Sequence, residues 1–187
     1  IRDSVTPAYP RFGATVWKQG YRGVMYCNYA IAGIENSDID AAKRDRLVAE
    51  AKILRAFYYY ILTCTFGDVP YYTVDVATKA ILKEVQRLPR TSAVEIRRNL
   101  IADLEPVVPA LDRIRGSDES GNCVGAALGW MMIAKLAMWN GSKDTEQSAI
   151  WWDKAIDALE ALRDIYGPLS GYPLEENYVW WKKNTPE

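Results

Sequence analysis

Histidine is absent from all 187 residues of this sequence. That single gap excludes Ser-His-Asp and Cys-His nucleophile activation, HExxH zinc sites and histidine proton shuttles, each of which needs an imidazole. Any catalysis would rest on carboxylates, lysine, tyrosine or a lone cysteine. Cysteine is scarce as well: Cys27, Cys64 and Cys123 show no CxxC spacing and so give no zinc or redox motif. All three fall in apolar helical contexts, where a free thiol behaves as a small hydrophobe. A Cys27–Cys64 bridge between neighbouring helices stays open, and Cys123, lacking a nearby base, reads as packing. No metal site and no cofactor is expected.

Neither sign of charge is in excess. Twenty-three basic against 24 acidic side chains leave a net charge of −1, without the concentrated positive field that nucleic acid requires. Long hydrophobic runs are missing too. The greasiest stretch, residues 56–65, is far shorter than the ~18 apolar residues of a membrane span, and it runs into Gly67-Asp68-Val69-Pro70. The chain opens on Ile1 rather than Met, so an upstream segment is expected to have been removed or left out.

What is present suits one folded domain with a sizeable core: 49% hydrophobic and 25% charged residues. Residues 1–13 read as an irregular lead-in punctuated by Pro7, Pro10 and Gly13. From about Ala14 to Glu35 the apolar spacing is helical, with Trp17, Tyr21, Val24, Asn28 and Ile31 on one stripe. Ser37-Asp38-Ile39-Asp40 has the capping-box pattern and predicts a long second helix to about Thr65. Its stripe is Leu47, Ala51, Leu54, Tyr58 and Ile61, broadened by Phe57 and Leu62, and Gly67 with Pro70 should end it. Residues 71–90 read as loop, with a short extended piece at Tyr71-Tyr72-Thr73-Val74. A second capping box at Ser92-Ala93-Val94-Glu95 opens a helix bearing Ile96, Leu100 and Leu104, stopped by Pro106 and Pro109. After a polar loop over 116–122, a fourth helix from about Val124 to Asn140 is apolar almost all round, which places it in the core. A fifth spans about Ser148 to Tyr166, with Trp151 or Trp152, Ala155, Ile156, Leu159 and Leu162 inward. Asn140-Gly141-Ser142 matches a glycosylation sequon weakly and a turn more simply. Residues 167–187 form an irregular, aromatic tail.

These elements predict an all-α fold of antiparallel helix pairs, with small residues such as Ala51, Ala126, Ala134 and Ala155 where helices approach. Unequal spacings rule out a strict 34-residue repeat, so the pattern is a degenerate TPR-like right-handed helical scaffold.

Three blocks carry a family resemblance. Trp17-x3-Tyr21-Arg22-Gly23-Val24 followed by Asn28 is the first. The second and most specific is Ala49-Glu50-Ala51-Lys52-Ile53-Leu54-Arg55-Ala56-Phe57-Tyr58-Tyr59-Tyr60 with Phe66-Gly67-Asp68-Val69-Pro70. Looser matches follow in Arg90-x-Ser92-x2-Glu95-Ile96, Asp103-Leu104, and Trp152-x2-Ala155 leading to Gly171-Tyr172-x-Leu174. Together they resemble the SusD/RagB family, surface nutrient-binding lipoproteins of Bacteroidetes. One departure stands out: Gly121-Asn122-Cys123 sits where the family commonly has a basic Gly-Arg-Ala type opening to the helix. The resemblance implies the N-terminal TPR-like part of a longer protein. It implies oligosaccharide or nutrient capture at the outer cell surface for a SusC-like TonB-dependent transporter. Membrane contact would come only through an N-terminal lipid anchor that lies outside this chain.

Trp17, Tyr21, Asn28, Glu50, Leu54, Arg55, Gly67 and Pro70 read as structural signature. Glu50 and Arg55, five residues apart, do not share a helix face and should serve helix–helix bonding. Asn28 needs a partner when buried, expected in the backbone of a neighbouring helix. Aromatics would serve glycan recognition, since sugar C–H faces stack on rings, but rings at helical spacing (Trp17, Tyr58, Trp130, Trp139) are usually core. The ligand candidates are therefore Tyr9 and Arg11 in the lead-in, and Tyr178, Trp180 and Trp181 in the tail. A TPR-like protein–protein adaptor is the alternative reading. More distant is a glycan hydrolase using carboxylates such as Asp68, Asp103 and Glu105, which would have to sit about 5–9 Å apart across a cleft.

Overall fold

Helical periodicity becomes six α-helices and one 3₁₀ turn in a computed structural model, which describes residues 13–111 and 124–166. Helix α1 (Gly13–Glu35) and helix α2 (Ala41–Phe66) pack as an antiparallel pair across a short turn. The expected inward stripe of α1 holds: Val24, Asn28 and Ile31 are buried, and Trp17 and Tyr21 pack against the core. Helix α2 starts three residues later than the capping box suggests. Asp40 is the cap, its carboxylate accepting from the Lys43 N–H at 3.1 Å. Ser37 instead donates its hydroxyl to the Ile34 carbonyl, closing the end of α1. An ionised acceptor suits the positive helix start better than a hydroxyl does. At the far end Gly67 takes φ 70°, the left-handed conformation that a side chain would strain.

The buried face of α2 is rotated from the expected stripe. Ile53, Ala56, Tyr59 and Leu62 are fully buried, whereas Leu54 is 39% exposed and Phe57 is also exposed. Helix α2 packs on α1, α4 and α5, so apolar spacing alone does not select its inner face.

A short helix α3 (Lys79–Val85) occupies part of the predicted loop. Thr78 caps it by accepting from the Ile81 N–H. None of its residues is buried, and a helix without an apolar face leaves no periodic signal. Extended backbone occurs earlier than expected, where Val69 and Thr91 exchange N–H···O bonds of 3.2 and 2.9 Å as an isolated antiparallel bridge. Helix α4 (Ala93–Leu104) follows the predicted box, with Ser92 Oγ accepting from the Glu95 N–H. Ile96, Leu100 and Leu104 are its buried stripe. A 3₁₀ turn (Val108–Ala110) then carries Pro109.

Helices α5 (Ala126–Gly141) and α6 (Ser148–Tyr166) form the second pair. Met132, Ile133, Ala134, Leu136 and Ala137 put α5 at the centre, as its all-round apolarity predicts. Asn140 is fully buried and donates to the Val94 carbonyl at 3.0 Å, so the sequon is closed to modification in the folded chain. Helix α6 faces inward through Trp151, Ala155 and Ala158, while Ile156 and Leu159 are exposed. The Trp151 indole N–H donates to Asp144 at 2.9 Å, which holds that ring on the inner side. The architecture is the expected all-α, TPR-like set of helix pairs.

Arg55, 4% exposed, ties the first pair to α4. Its Nη1 donates to Asn28 Oδ1 of α1 at 2.8 Å and its Nη2 to Asp103 Oδ2 of α4 at 2.5 Å. Lys52 Nζ takes the other Asp103 oxygen at 2.9 Å. Asn28 Nδ2 passes the network on, donating to the carbonyls of Val74 (3.2 Å) and Tyr72 (3.5 Å). Its backbone partner is thus the segment after Pro70, not a helix, because that segment has carbonyls to spare. Tyr59 holds the same segment twice, its hydroxyl accepting from the Tyr72 N–H (2.9 Å) and donating to the Tyr72 carbonyl (2.8 Å). Tyr21 donates to the Pro70 carbonyl at 2.7 Å and stacks on the Tyr72 ring.

Removing one partner of a buried charge leaves the other uncompensated. Asp103→Ala should therefore lower the unfolding free energy by about 2–4 kcal/mol, somewhat under the fully buried case because Asp103 is partly solvated. Lys52→Met, which leaves Asp103 still paired with Arg55, should cost about 1 kcal/mol or less. Urea midpoints of the two variants check this order.

Burial raises the Tyr59 and Tyr21 phenols above the ordinary tyrosine value and pushes the Cys27 thiol from 9.0 up to about 11. The unfolded chain then releases these protons at lower pH than the folded one, so stability present below pH 9.0 is lost as pH rises through the folded values. The urea midpoint should fall progressively above that pH. Tyr59→Phe should start about 1–3 kcal/mol lower, with the Tyr72 backbone groups unpaired, and then fall less steeply.

Candidate functional site

The ligand candidates Tyr9, Arg11, Tyr178, Trp180 and Trp181 lie outside the described residues. So do Cys123 and the polar loop before α5. The signature residues are gathered into the scaffold. Trp17 packs its ring on Tyr21 and edge-on against Phe66, with centroids 4.8 and 5.1 Å apart. Glu50 faces Arg46 one turn away at 3.5 Å, an i,i+4 ion pair of small worth. Leu54 points to solvent rather than into a contact of the core.

The three carboxylates considered for hydrolysis are each engaged elsewhere. Asp68 accepts from the Ala93 N–H at 2.9 Å and so helps to cap α4. Asp103 holds Arg55 and Lys52, and Glu105 pairs with Lys154 of α6. Cys27 and Cys64 are free thiols, so the bridge left open by the sequence does not form. Burial keeps both thiols protonated by raising their pKa values, which makes them poor nucleophiles.

Two concave surfaces are lined by described residues. A hollow of about 560 Å³ sits at the α1–α2 turn, lined among others by Tyr29, Ile34, Asn36, Ile39 and Asp75. The other, about 320 Å³, is a groove between α2, α5 and α6 lined by Tyr60, Lys135, Met138, Trp139, Ser142 and Trp152. Three aromatic rings in one groove can take the apolar face of a ring-shaped ligand. Gly141 makes room for one of them: a Cβ there would meet indole atoms Cε2, Nε1 and Cδ2 of Trp152 at 2.8–3.0 Å, so that ring lies face-down on the end of α5. Trp139 is approached by Arg97, whose Cζ is 5.1 Å from the ring centroid, and Tyr60 by Lys135 Nζ at 5.5 Å.

Sequence reasoning passed over this groove by assigning Trp139 to the core. The signal was in Trp151-Trp152: neighbours on a helix point about 100° apart, so both cannot face the same core. Trp151 is 4% exposed and Trp152 is 43% exposed. Trp151→Ala should accordingly cost about 3–5 kcal/mol, whereas Trp152→Ala, with close to half of its transfer term already absent, should cost about 1–2 kcal/mol. Thermal and urea unfolding of the pair of variants would show the difference.

A family model described as "Starch-binding associating with outer membrane", SusD-like, matches residues 2–111. Among curated proteins, SusD-like protein P2 of Formosa agariphila is 33% identical over 89 residues, covering 48% of this chain and 17% of that protein. A SusD homolog from Bacteroides thetaiotaomicron has a similar solved structure, with TM-score 0.68 and 26% identity over 81% of this chain and 32% of that one. Surface glycan-binding protein A from Bacteroides fluxus gives TM-score 0.60 and 25% identity, covering 74% of this chain and 28% of that one. The chain thus spans under a third of the length of these relatives. More than half of its residues fall inside the family match and its helical scaffold is shared with family structures, so this chain belongs to the SusD-like family.

Proposed function

We propose that this chain is the helical scaffold of a non-catalytic glycan- or nutrient-binding protein on the outer-membrane surface. The observation that carries the reading is the family match over residues 2–111, whose description is starch binding in association with the outer membrane. A relative of the same fold is named a surface glycan-binding protein. The protein would capture oligosaccharide outside the cell, held there by a lipid anchor upstream of Ile1, and pass it to a SusC-like TonB-dependent transporter. No bond is broken on this reading. The engagement of Asp68, Asp103 and Glu105 in capping and ion pairs supports it, because a hydrolase needs two carboxyl groups facing one cleft.

Titration of the full-length protein with a panel of oligosaccharides by calorimetry should give saturable binding. Prolonged incubation should release no new reducing ends. Product release on the enzyme timescale would sink the non-catalytic reading, and silence across the whole panel would sink glycan capture.

A further inference from the structure

The groove between α2, α5 and α6 has a charge pattern that its aromatic lining alone does not explain. Among the described residues lining it, Lys135 alone is charged. Among the described residues no carboxylate lies within 4.0 Å of Lys135 Nζ. Its recorded neighbour is the Tyr60 ring. Directly behind Trp139 sits a second cation, Arg97, only 3% exposed. Among the described residues Arg97 has no carboxylate within the same distance: its guanidinium meets the Cys64 thiol, and its Nη2 reaches the Thr63 carbonyl at 3.5 Å. Every other buried or half-buried guanidinium that meets an acid here does so at α4 or along one helix, as Arg55 and Arg46 do. Among the described residues the groove is therefore positive, aromatic and without a lining acid.

We propose that this groove is a subsite for an anionic pyranose, its ring stacked on the Trp152 and Trp139 indoles and its acid group held by Lys135 Nζ. The aromatic rings supply the apolar platform for the C–H face of the sugar. The ammonium supplies a charge-assisted hydrogen bond to a carboxylate or sulfate, and Ser142 Oγ lies at the rim for a ring hydroxyl. Arg97 adds a positive field from beneath, weakly screened because it is buried. Gly141 sets the depth, since Trp152 lies flat only when position 141 has no side chain. A neutral sugar would gain the stacking and leave the ammonium unused.

This inference rests on the glycan-binding reading, and the test separates the two. Full-length protein is titrated with trigalacturonate, sulfated galactotriose and neutral galactotriose at low and high salt. The anionic ligands should bind more tightly than the neutral one, with an advantage that shrinks as salt rises; the two acid arms tell carboxylate from sulfate. Lys135→Gln should weaken anionic binding about tenfold, as loss of a charged hydrogen bond implies, and leave any neutral binding as it was. Trp152→Ala should weaken it by a similar factor while the protein, though slightly less stable, stays folded at the titration temperature. Should Trp152→Ala unfold at that temperature, Ser142→Trp at the exposed rim fills the groove and should block anionic binding instead. Anionic binding indifferent to Lys135 and to the groove-filling variant overturns the subsite and leaves glycan capture standing. Neutral sugar bound as well as acidic overturns it too. If no sugar of either charge binds, the subsite and the broader reading both fall.

Discussion

A buried guanidinium constrains everything around it. Arg55 sits in the middle of α2, almost without solvent, and its charge must be met by groups already in place. Asn28 of α1 and Asp103 of α4 meet it, and both come from elements distant in sequence. The three helices are thereby fixed in rotation as well as in distance. Apolar packing alone would tolerate sliding, because hydrophobic contact is non-directional. The hydrogen bonds to Arg55 are directional and admit one register. The same network reaches the backbone after Pro70 through Asn28, where Tyr59 and Tyr21 clamp it further. A segment without regular secondary structure is thus as firmly bound as a strand.

That network also shows how far residue patterns carry. Helix positions, the Ser92 capping box and the stop at Gly67 were legible, because each depends on a few adjacent residues. The stripe of α1 and the centrality of α5 were legible for the same reason. The inner face of α2 was not. Apolar residues surround it, and what turns Tyr59 rather than Tyr58 fully inward is a hydrogen-bonding partner thirteen positions away in Tyr72. Long-range polar partners leave no periodicity. Helix α3 escaped for the opposite reason, since it has no buried face at all.

The site divides along the same line. Spacing assigned Glu50, Arg55 and Asn28 to helix–helix and backbone bonding; Arg55 does bridge helices, Asn28 turns to the segment after Pro70, and Glu50 pairs with Arg46 on its own helix. Spacing also treated helical aromatics as core, and there Trp139 and Trp152 depart from the rule. Trp152 follows Trp151, and the burial of one ring forces the other outward. Whether an outward ring lines a groove depends on what stands opposite. Here that is Tyr60, from a helix some ninety residues earlier, with Gly141 leaving space beneath the indole. Such a meeting of α2 with α6 is a property of the packed helices and of no local segment.

Two buried arginines on neighbouring helices close the argument. Arg55 is met by a carboxylate and an amide, so its desolvation is offset within the scaffold and its role ends there. Arg97 is buried to the same degree and is met by the Thr63 carbonyl, the Cys64 thiol and the face of Trp139. Burial lowers its pKa, and the neighbouring Cys64, Tyr60 and Asp68 work against that shift. Lys135, nearby on α5 and also without an acid, extends that positive field to the surface. The two arginines therefore differ in what answers their charge. Arg55 is answered by a carboxylate inside the scaffold, whereas Arg97 is answered by neutral groups and a ring face. A charge met by neutral dipoles is offset less completely than one met by an acid, so more of its field reaches the neighbouring groove.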